Sequence, residues 1–431
     1  MNILQVKTVV DLQVGNTALK KLFLLSDEWN NDQNFVCGEL ELLKNYYDVT
    51  VICSADSIDE TCRFLEGIKF LFYNRHKGWL VVKAFFSCIC DRMFWKELSN
   101  LTKEKNRLPK ISEILRFYIN AELFWYYFRS NCLNDQNEDL IVYSYWFFWK
   151  CFAVTKHRYK YPRLKIITRT HGFDLYKERM PSNYQPFKKI MDAKLDGVYF
   201  IAEYGLDYYL REFNIKKTTK HKIYKLGTQN DIPSDAVLNV GVQRNNINDA
   251  LNIASCSSVI ELKRVGLIVE ALSEIDDISI NWIHFGGGPL LEDVIKITDD
   301  LLSSKKNISY RLTGQVCNSV IHEYYKNNRV DAFLMMSRTE GNPVSVIEAM
   351  SYGIPVISTN ITNMPNLVRG NGLLISANPS REEVAEAIRK IAKMDKDNIF
   401  NMRINSREIW EKEYNEEHND RLFVEEVILR L

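Results

Sequence analysis

The sequence has no Cys-x-x-Cys pair. Its nine cysteines, Cys37, Cys53, Cys62, Cys88, Cys90, Cys132, Cys151, Cys256 and Cys317, are odd in number and irregularly spaced, which argues against a disulfide framework and fits reduced thiols in a cytoplasm. The opening stretch, MNILQVKTVVDLQVGN, lacks a basic segment followed by an apolar core and a small-residue cleavage site, so no secretory signal is expected. No uninterrupted apolar run reaches the ~18 to 20 residues that a membrane-spanning helix needs. Lys83, Glu122 and Lys150 break the three most apolar stretches.

Two chemical signatures are also missing. The glycine run Gly286, Gly287, Gly288 has Leu291 where a Gly-x-Gly-x-x-Gly fingerprint demands its last glycine, which argues against a nicotinamide oxidoreductase. The only Asp-x-Asp, Asp395-Lys396-Asp397, falls in a polar link after a helical pattern instead of at a strand end. It is a poor clamp for catalytic Mg²⁺ or Mn²⁺, so neither a metal nor another cofactor is expected.

What is present is 431 residues, 46% of them hydrophobic, enough for two or three domains with sizeable cores. The net charge of +1 conceals a division. Residues 1–225 hold 35 Lys and Arg against 26 Asp and Glu, a balance of +9, and residues 226–431 hold 21 against 29, a balance of −8. A basic half faces nucleic acid or an anionic membrane, and the neighbouring aromatic segments favour the membrane.

Those segments, GWLVVKAFFSCIC, LRFYINAELFWYYF and LIVYSYWFFWKCF, lie between Gly78 and Phe152. They read as core helices plus a strand at Leu140 to Tyr145, or as elements that leave some Trp, Tyr and Phe in a membrane interface. The basic runs at 156–165 and 216–225 would then supply charge.

Apolar runs between polar breaks place strands at Lys21 to Ser26, Val49 to Ser54, Lys165 to Thr170, Gly197 to Ile201, Leu251 to Ser255, Ile280 to Phe285, Ala332 to Met336 and Ile354 to Ser358, alternating with helical patterns. That alternation is an α/β pattern. Residues 1–20 form a weakly patterned lead-in, and 231–250 read as an interdomain connection. Glu382 to Ala392 is an amphipathic helix, and further helical pattern follows from Asn401.

The most informative stretch is SRTEGNPVSVIEAMSYGIPVIST, Ser337 to Thr359. Asn342 reads as a helix cap and Pro343 as the first helical residue, with Gly353 as the stop. A helix opening at the carboxyl end of a buried strand aims free N–H groups and a positive dipole end at the crevice, where phosphate is favoured. Glu340 precedes the cap and Glu348 falls in the second turn. Phosphate would repel both carboxylates, so sugar hydroxyls are their natural partners. The plain alternative is two surface glutamates on an amphipathic helix.

This Glu-x7-Glu stretch resembles the signature of retaining nucleotide-sugar glycosyltransferases of family 4, which have the GT-B fold. The resemblance extends over about Leu251 to Ile375, and less closely around His171. It implies two doubly wound α/β domains facing across a cleft: residues 1–230 for the acceptor, 231–405 for the donor, and a C-terminal helix, 406–431, crossing back. His171, at a strand end before Gly172, matches the histidine that hydrogen-bonds the donor sugar from across the cleft. Lys263 matches the diphosphate lysine, and Arg264 stands in for the second cation where Ser257 and Ser258 replace a Gly-Arg pair. Glu340, Gly341, Asn342, Pro343 and Val344 line the donor, Glu348 the ribose, and Gly287, Gly288 and Gly314 the nucleotide. Where many relatives have a glycine-rich acceptor loop, this chain has SDEWNNDQNFVCGE.

The reading is a retaining glycosyltransferase of hexosyltransferase type, acting in cell-surface polysaccharide biosynthesis. Its partners would be a nucleotide-sugar, a lipid-linked or oligosaccharide acceptor and a membrane surface, not nucleic acid. It would sit in the cytoplasm, peripheral on the inner membrane face. A nucleotide-sugar epimerase of the same fold and a non-catalytic sugar-nucleotide binding protein are the alternatives. Product analysis separates the first, and the joint presence of His171, Lys263, Glu340 and Glu348 speaks against the second.

Overall fold

The computed structural model describes residues 19–27, 29, 36–54, 64–74, 78–101, 107–133, 137–240 and 249–431. The lead-in up to residue 18, half of the segment read as replacing the acceptor loop (28 and 30–35) and part of the interdomain connection (241–248) lie outside them.

The first half alternates β1 (Lys21–Leu25), α1 (Cys37–Leu43), β2 (Asp48–Ser54) and β3 (Lys69–Tyr73), then α2 (Trp79–Cys90), α3 (Arg92–Asn100) and α4 (Arg107–Cys132). It continues with β4 (Leu140–Ser144), α5 (Trp149–His157), β5 (Lys165–Thr170), α6 (Lys188–Asp192), β6 (Gly197–Phe200), α7 (Glu203–Glu212) and β7 (His221–Ile223). These strands form one parallel sheet ordered β3-β2-β1-β4-β5-β6-β7. The central strands KLFLL and LIVYS are buried almost throughout, as a parallel sheet covered on both faces requires.

After α8 (Ser234–Val240) the second half runs β8 (Leu251–Cys256), α9 (Val265–Ser273), β9 (Ile280–Phe285), α10 (Leu291–Leu302), β10 (Ile308–Leu312) and α11 (Asn318–Asn327). It ends with β11 (Ala332–Met335), α12 (Val344–Ser351), β12 (Val356–Thr359), α13 (Met364–Leu367), β13 (Gly372–Ile375), α14 (Arg381–Lys393), α15 (Lys396–Glu413) and α16 (Glu416–Glu426). Its parallel sheet is ordered β10-β9-β8-β11-β12-β13, the doubly wound order whose switch point lies between the first and fourth strands. The fold is therefore α/β with two such sheets.

The chain crosses between the halves twice, side by side. Thr228 pairs with Asn415, donating to Tyr414 O at 2.9 Å and accepting from Glu416 N at 3.2 Å. Gly227 makes this possible, because a Cβ there would stand 2.3 Å from Glu416 N. The helix that returns to the first half is α16, which packs on α1, whereas α15, including residues 406–413, packs on α12 in the second. The Asp-x-Asp serves as a helix cap: Asp395 accepts from Asn398 N at 2.8 Å at the start of α15.

The aromatic segments divide. The helix α4 is buried over much of its circumference between the sheet and α2. Its Glu122, which breaks an apolar run in the sequence, binds Lys156 Nζ at 2.6 Å. Lys150 lies buried in α5, donating to Ser26 O and standing 3.2 Å from Asp27 Oδ1. It therefore supplies no surface charge to a membrane. Burial lowers its pKa. In contrast α2 keeps bulky apolar side chains exposed. Among the described residues no helix is long and apolar enough to cross a membrane.

Candidate functional site

In an open parallel sheet, ligands bind beyond the carboxyl ends of the strands at the switch point. In the second half that point lies between β8 and β11, whose following loops carry Lys263 and Glu340. The glycine run after β9 lets its own loop close on the one after β8. A Cβ on Gly286 (φ 137°) would stand 2.0 Å from Ser257 O, and one on Gly288 (φ 153°) 2.6 Å from Val259 O. Gly286 N donates to Gly314 O at 3.0 Å, tying in the next loop. Gly287 N donates to Gln315 Oε1 at 3.4 Å.

Lys263 ends a 3₁₀ turn, and Arg264 follows in the left-handed region at φ 51°. Such a conformation costs a non-glycine residue about 1 to 3 kcal/mol unless its surroundings hold it. Here the guanidinium does so. It donates to the carbonyls of Met336 at 2.5 Å, Ser337 at 3.1 Å and Ala377 at 3.0 Å, and reaches Asn378 Oδ1 at 3.3 Å. Arg264 is thus a fastener between loops, and its expected place as a second phosphate cation is not what the geometry offers. Lys263 Nζ projects to Glu340 Oε1 and forms an ion pair with it. Glu340 is itself fixed by its backbone, whose N–H donates to Thr362 Oγ1 at 3.2 Å.

The helix α12 starts one residue later than the sequence suggests. Pro343 has ψ 86° and stands before the first helical residue, Val344, while Asn342 makes no cap and its Oδ1 is buried without a partner among the described residues. Among the described residues no side chain caps this start, so the first-turn N–H groups of Val344 and its neighbours keep the capacity to bind an anion. At the other end Gly353 (φ 62°) closes the helix, with Ile354 N donating to Ala349 O at 3.1 Å.

Glu348 is buried in α12 and accepts from Asn318 Nδ2 at 2.9 Å. Its Oε1 lies 3.6 Å from His322 Nε2, and His322 Nδ1 lies 3.0 Å from Tyr352 Oη. Asn318 and His322 were missed from the sequence. Their one available signal is their spacing of four residues, which places both on one face of α11.

From the first half, His171 follows β5 and its N–H donates to Asp174 Oδ1 at 2.6 Å. Asp174 also accepts from Phe147 N at 2.6 Å, so one carboxylate joins the ends of β4 and β5. Burial pushes Asp174 up to about 6 against the pull of Lys188, whose own pKa burial lowers to about 8. The imidazole lies 4.5 Å from each of the Tyr145 and Trp146 rings. Burial, and then the Arg169 charge, bring His171 down to about 3, so it is neutral at physiological pH. Both of its ring nitrogens and Trp146 Nε1 are buried without partners among the described residues. Trp146 too was missed, because it comes from the neighbouring strand's end.

The two halves meet here. A Cβ on Gly341 would stand 3.4 Å from Tyr176 Cε2 and 3.9 Å from Gly172 Cα. The loop bearing Glu340 therefore faces the loop bearing His171.

Residues 250–394 match the family described as glycosyl transferases group 1. The chain is 31% identical over 113 residues to the Escherichia coli O-antigen biosynthesis glycosyltransferase WbnH, covering 26% of this chain and 30% of that protein. It is 24% identical over 221 residues to the Escherichia coli O-antigen biosynthesis glycosyltransferase WclY, covering 46% and 55%. The first-matched curated relatives are thus spanned over about a third of their length. Among solved structures, the lipopolysaccharide outer core galactosyltransferase WaaB superposes with a TM-score of 0.63 at 14% identity, over 96% of this chain and all (100%) of that one. Anabaena HepE in complex with UDP and glucose gives 0.61 at 13% identity, over 96% and 100%. The chain has the two-domain GT-B fold of these proteins, and its second half carries the match to the group 1 family.

Proposed function

We propose that this protein is a nucleotide-sugar-dependent glycosyltransferase of family 4 that builds a cell-surface polysaccharide, retaining the anomeric configuration of the transferred sugar. The observation that carries the reading is the approach of Gly341 to Gly172 and Tyr176, which sets Glu340 and Lys263 opposite His171. The donor diphosphate would lie on the open start of α12, with Lys263 turning from Glu340 to a phosphate as charge develops on the leaving group. Glu340, freed of that partner, accepts hydroxyls of the sugar. Neutral His171 offers a ring nitrogen to another sugar hydroxyl without adding positive charge beside an oxocarbenium-like transition state. Glu348 accepts from the ribose. The acceptor hydroxyl attacks from the leaving-group side as the bond to the diphosphate breaks, its proton passing to the departing phosphate oxygen, and no protein nucleophile or metal takes part.

The relatives' role in O-antigen synthesis and the complex of Anabaena HepE with UDP and glucose make a uridine diphosphate sugar the first donor to test. The acceptor would be a lipid-linked glycan at the inner face of the cytoplasmic membrane, the protein being peripheral there. A thermal-shift panel of nucleotides and nucleotide-sugars identifies the donor, since selective binding raises the melting temperature by mass action. NMR of the product formed on a glycan acceptor then reads the configuration. Inverted product would overturn retention, and absence of a shift with any nucleoside diphosphate would overturn the whole reading.

A further inference from the structure

The helix α2 is amphipathic in the wrong sense for a soluble surface. At 3.6 residues per turn, its inward face carries Ala84 and Cys88, both buried, with Leu80 and Val81 half-buried beside them. The opposite face carries Trp79 (69% exposed), Val82 (54%), Phe86 (60%) and Ile89 (38%), with Phe85 beside them. Trp95 of α3 is 54% exposed and donates its indole N–H to Ile89 O at 2.6 Å, extending the same surface. The start of α4, packed on α3, adds exposed Leu108 and Ile111. Among the described residues no element covers this face. A contiguous exposed apolar patch of this kind marks an interaction site.

Its charge is of one sign. Over the described residues 78–116 the exposed charged side chains are Lys83, Arg92, Lys96, Arg107 and Arg116, all positive. The acids in the same span are turned inward: Asp91 binds Lys156, Glu97 is buried against Phe187 N, and Glu113 is buried against Arg116. Lys83 Nζ lies 5.6 Å from the Trp79 ring and 5.0 Å from the Tyr126 ring, an ammonium held above aromatics. Trp and Phe projecting from a short helix, ringed by Lys and Arg, match the boundary between acyl chains and anionic headgroups. A protein partner of ordinary composition offers no reason for a charge set of one sign around an apolar centre.

We propose that the outer face of α2, with Trp95 of α3, is the surface by which the protein docks on anionic lipid. The inference deepens the peripheral-membrane reading above and gives it a location. It also suggests how a lipid-borne acceptor is delivered, because α4, on which α2 packs, shares a cavity of about 220 Å³ with Phe148, Phe173 and Met180. Phe173 belongs to the loop of His171, so this apolar hollow lies beside the catalytic cleft.

Co-sedimentation with vesicles tests the docking without any donor or acceptor, so its failure and that of the transferase reading are distinguishable. Wild-type protein should partition onto phosphatidylglycerol–phosphatidylcholine vesicles at low salt and at least tenfold less onto phosphatidylcholine alone. The double substitution Trp79→Ser, Phe86→Ser and, separately, Lys83→Glu with Lys96→Glu should each lower anionic-vesicle binding at least tenfold while melting temperature stays unchanged, since all four side chains are exposed. Equal binding by the variants, or no binding by the wild type, overturns the proposal. So does a wild-type dimer in sedimentation velocity that the serine variant abolishes, which would make this face an interface between copies.

Discussion

Gly341 lies against Gly172 across the cleft, its absent side chain leaving 3.9 Å between an ideal Cβ and the Gly172 Cα. The distance is that of ordinary van der Waals contact, so one methyl group fits and a branched side chain does not. Gly341→Ala should retain most transfer activity. Gly341→Val should prop the loops apart and lower kcat/KM at least tenfold, with a smaller effect on nucleoside diphosphate affinity, because the clash is with Gly172 and Tyr176 of the first half whereas the proposed diphosphate seat lies in the second. Steady-state kinetics beside calorimetric titration check this. Equal activity of the two variants would mean that the cleft does not close on Gly341 during turnover.

Lys263 makes its contact with Glu340 in the unliganded protein, and the proposed role requires it to exchange that partner for a phosphate. Lys263→Ala should weaken both donor and bare nucleoside diphosphate, by about tenfold or more if one charge-assisted bond of roughly 1.5 to 3 kcal/mol is lost. Circular dichroism should barely change, since the side chain bridges two loops and supports no core. An unchanged dissociation constant for the nucleoside diphosphate would remove Lys263 from the phosphate site.

How far the sequence led follows from where each residue's environment comes from. Strands Lys165–Thr170 and Ile280–Phe285 begin and end where expected, because a buried parallel strand is an apolar run bounded by loops. The edge strand Lys69–Tyr73 was missed, for its partly exposed KFLFY gives no such contrast. His221–Ile223 was missed inside a basic run. His171 was legible as a histidine at a strand end before glycine. Its neighbours Tyr145 and Trp146 were not, since strand order alone brings them to it. Arg264 read as a second phosphate cation, and only its left-handed backbone turns the guanidinium onto three carbonyls. Lys150 read only as a break in an apolar stretch, and nothing local reveals that it lies buried against Ser26 O and Asp27.

A pH dependence follows from the seat of α16 on α1. Asp420 of α16 approaches so closely that a Cβ on Gly38 would meet its Oδ2 at 2.1 Å. Around it lie Glu39, Glu416 and the Arg169 guanidinium, with Gln229 bonded to Glu416 and Asp231 nearby. Burial pushes Glu416 up to about 7, and burial with the neighbouring carboxylates pushes Asp420 up as well. A carboxyl raised on folding binds its proton more tightly in the native state, so its stabilisation is complete below about pH 4 and is lost as pH rises through the folded pKa. The melting temperature of Glu416→Gln/Asp420→Asn should therefore fall less than that of the wild type between pH 5 and 8. His171 contributes in the opposite sense, but it is common to both proteins and cancels in the difference. Parallel profiles would show that this cluster is not the titrating element.

The two glutamates of α12 and its leading loop differ in what holds them, and that difference divides their tasks. Glu348 is anchored by Asn318 within the second half, a fixed acceptor suited to the ribose of a nucleotide that binds before anything crosses the cleft. Among the described residues Glu340 is held by Lys263 and by its own backbone, and it lies in the loop that faces the loop of His171. Glu348→Gln keeps the shape but exchanges a charged acceptor for a neutral one, a loss of roughly 1.5 to 3 kcal/mol, so nucleoside diphosphate affinity should fall about tenfold or more. Glu340→Gln should leave that affinity within about threefold, because Lys263 then reaches the phosphate without a competing carboxylate. Its effect should appear in turnover, where bonds to the sugar strengthen as the ring flattens and gains positive charge. Titration of both variants with the bare nucleoside diphosphate, beside transfer rates with the full donor, separates the two. Equal nucleotide affinities, or normal transfer by Glu340→Gln, would reject these roles while leaving the glycosyltransferase reading intact.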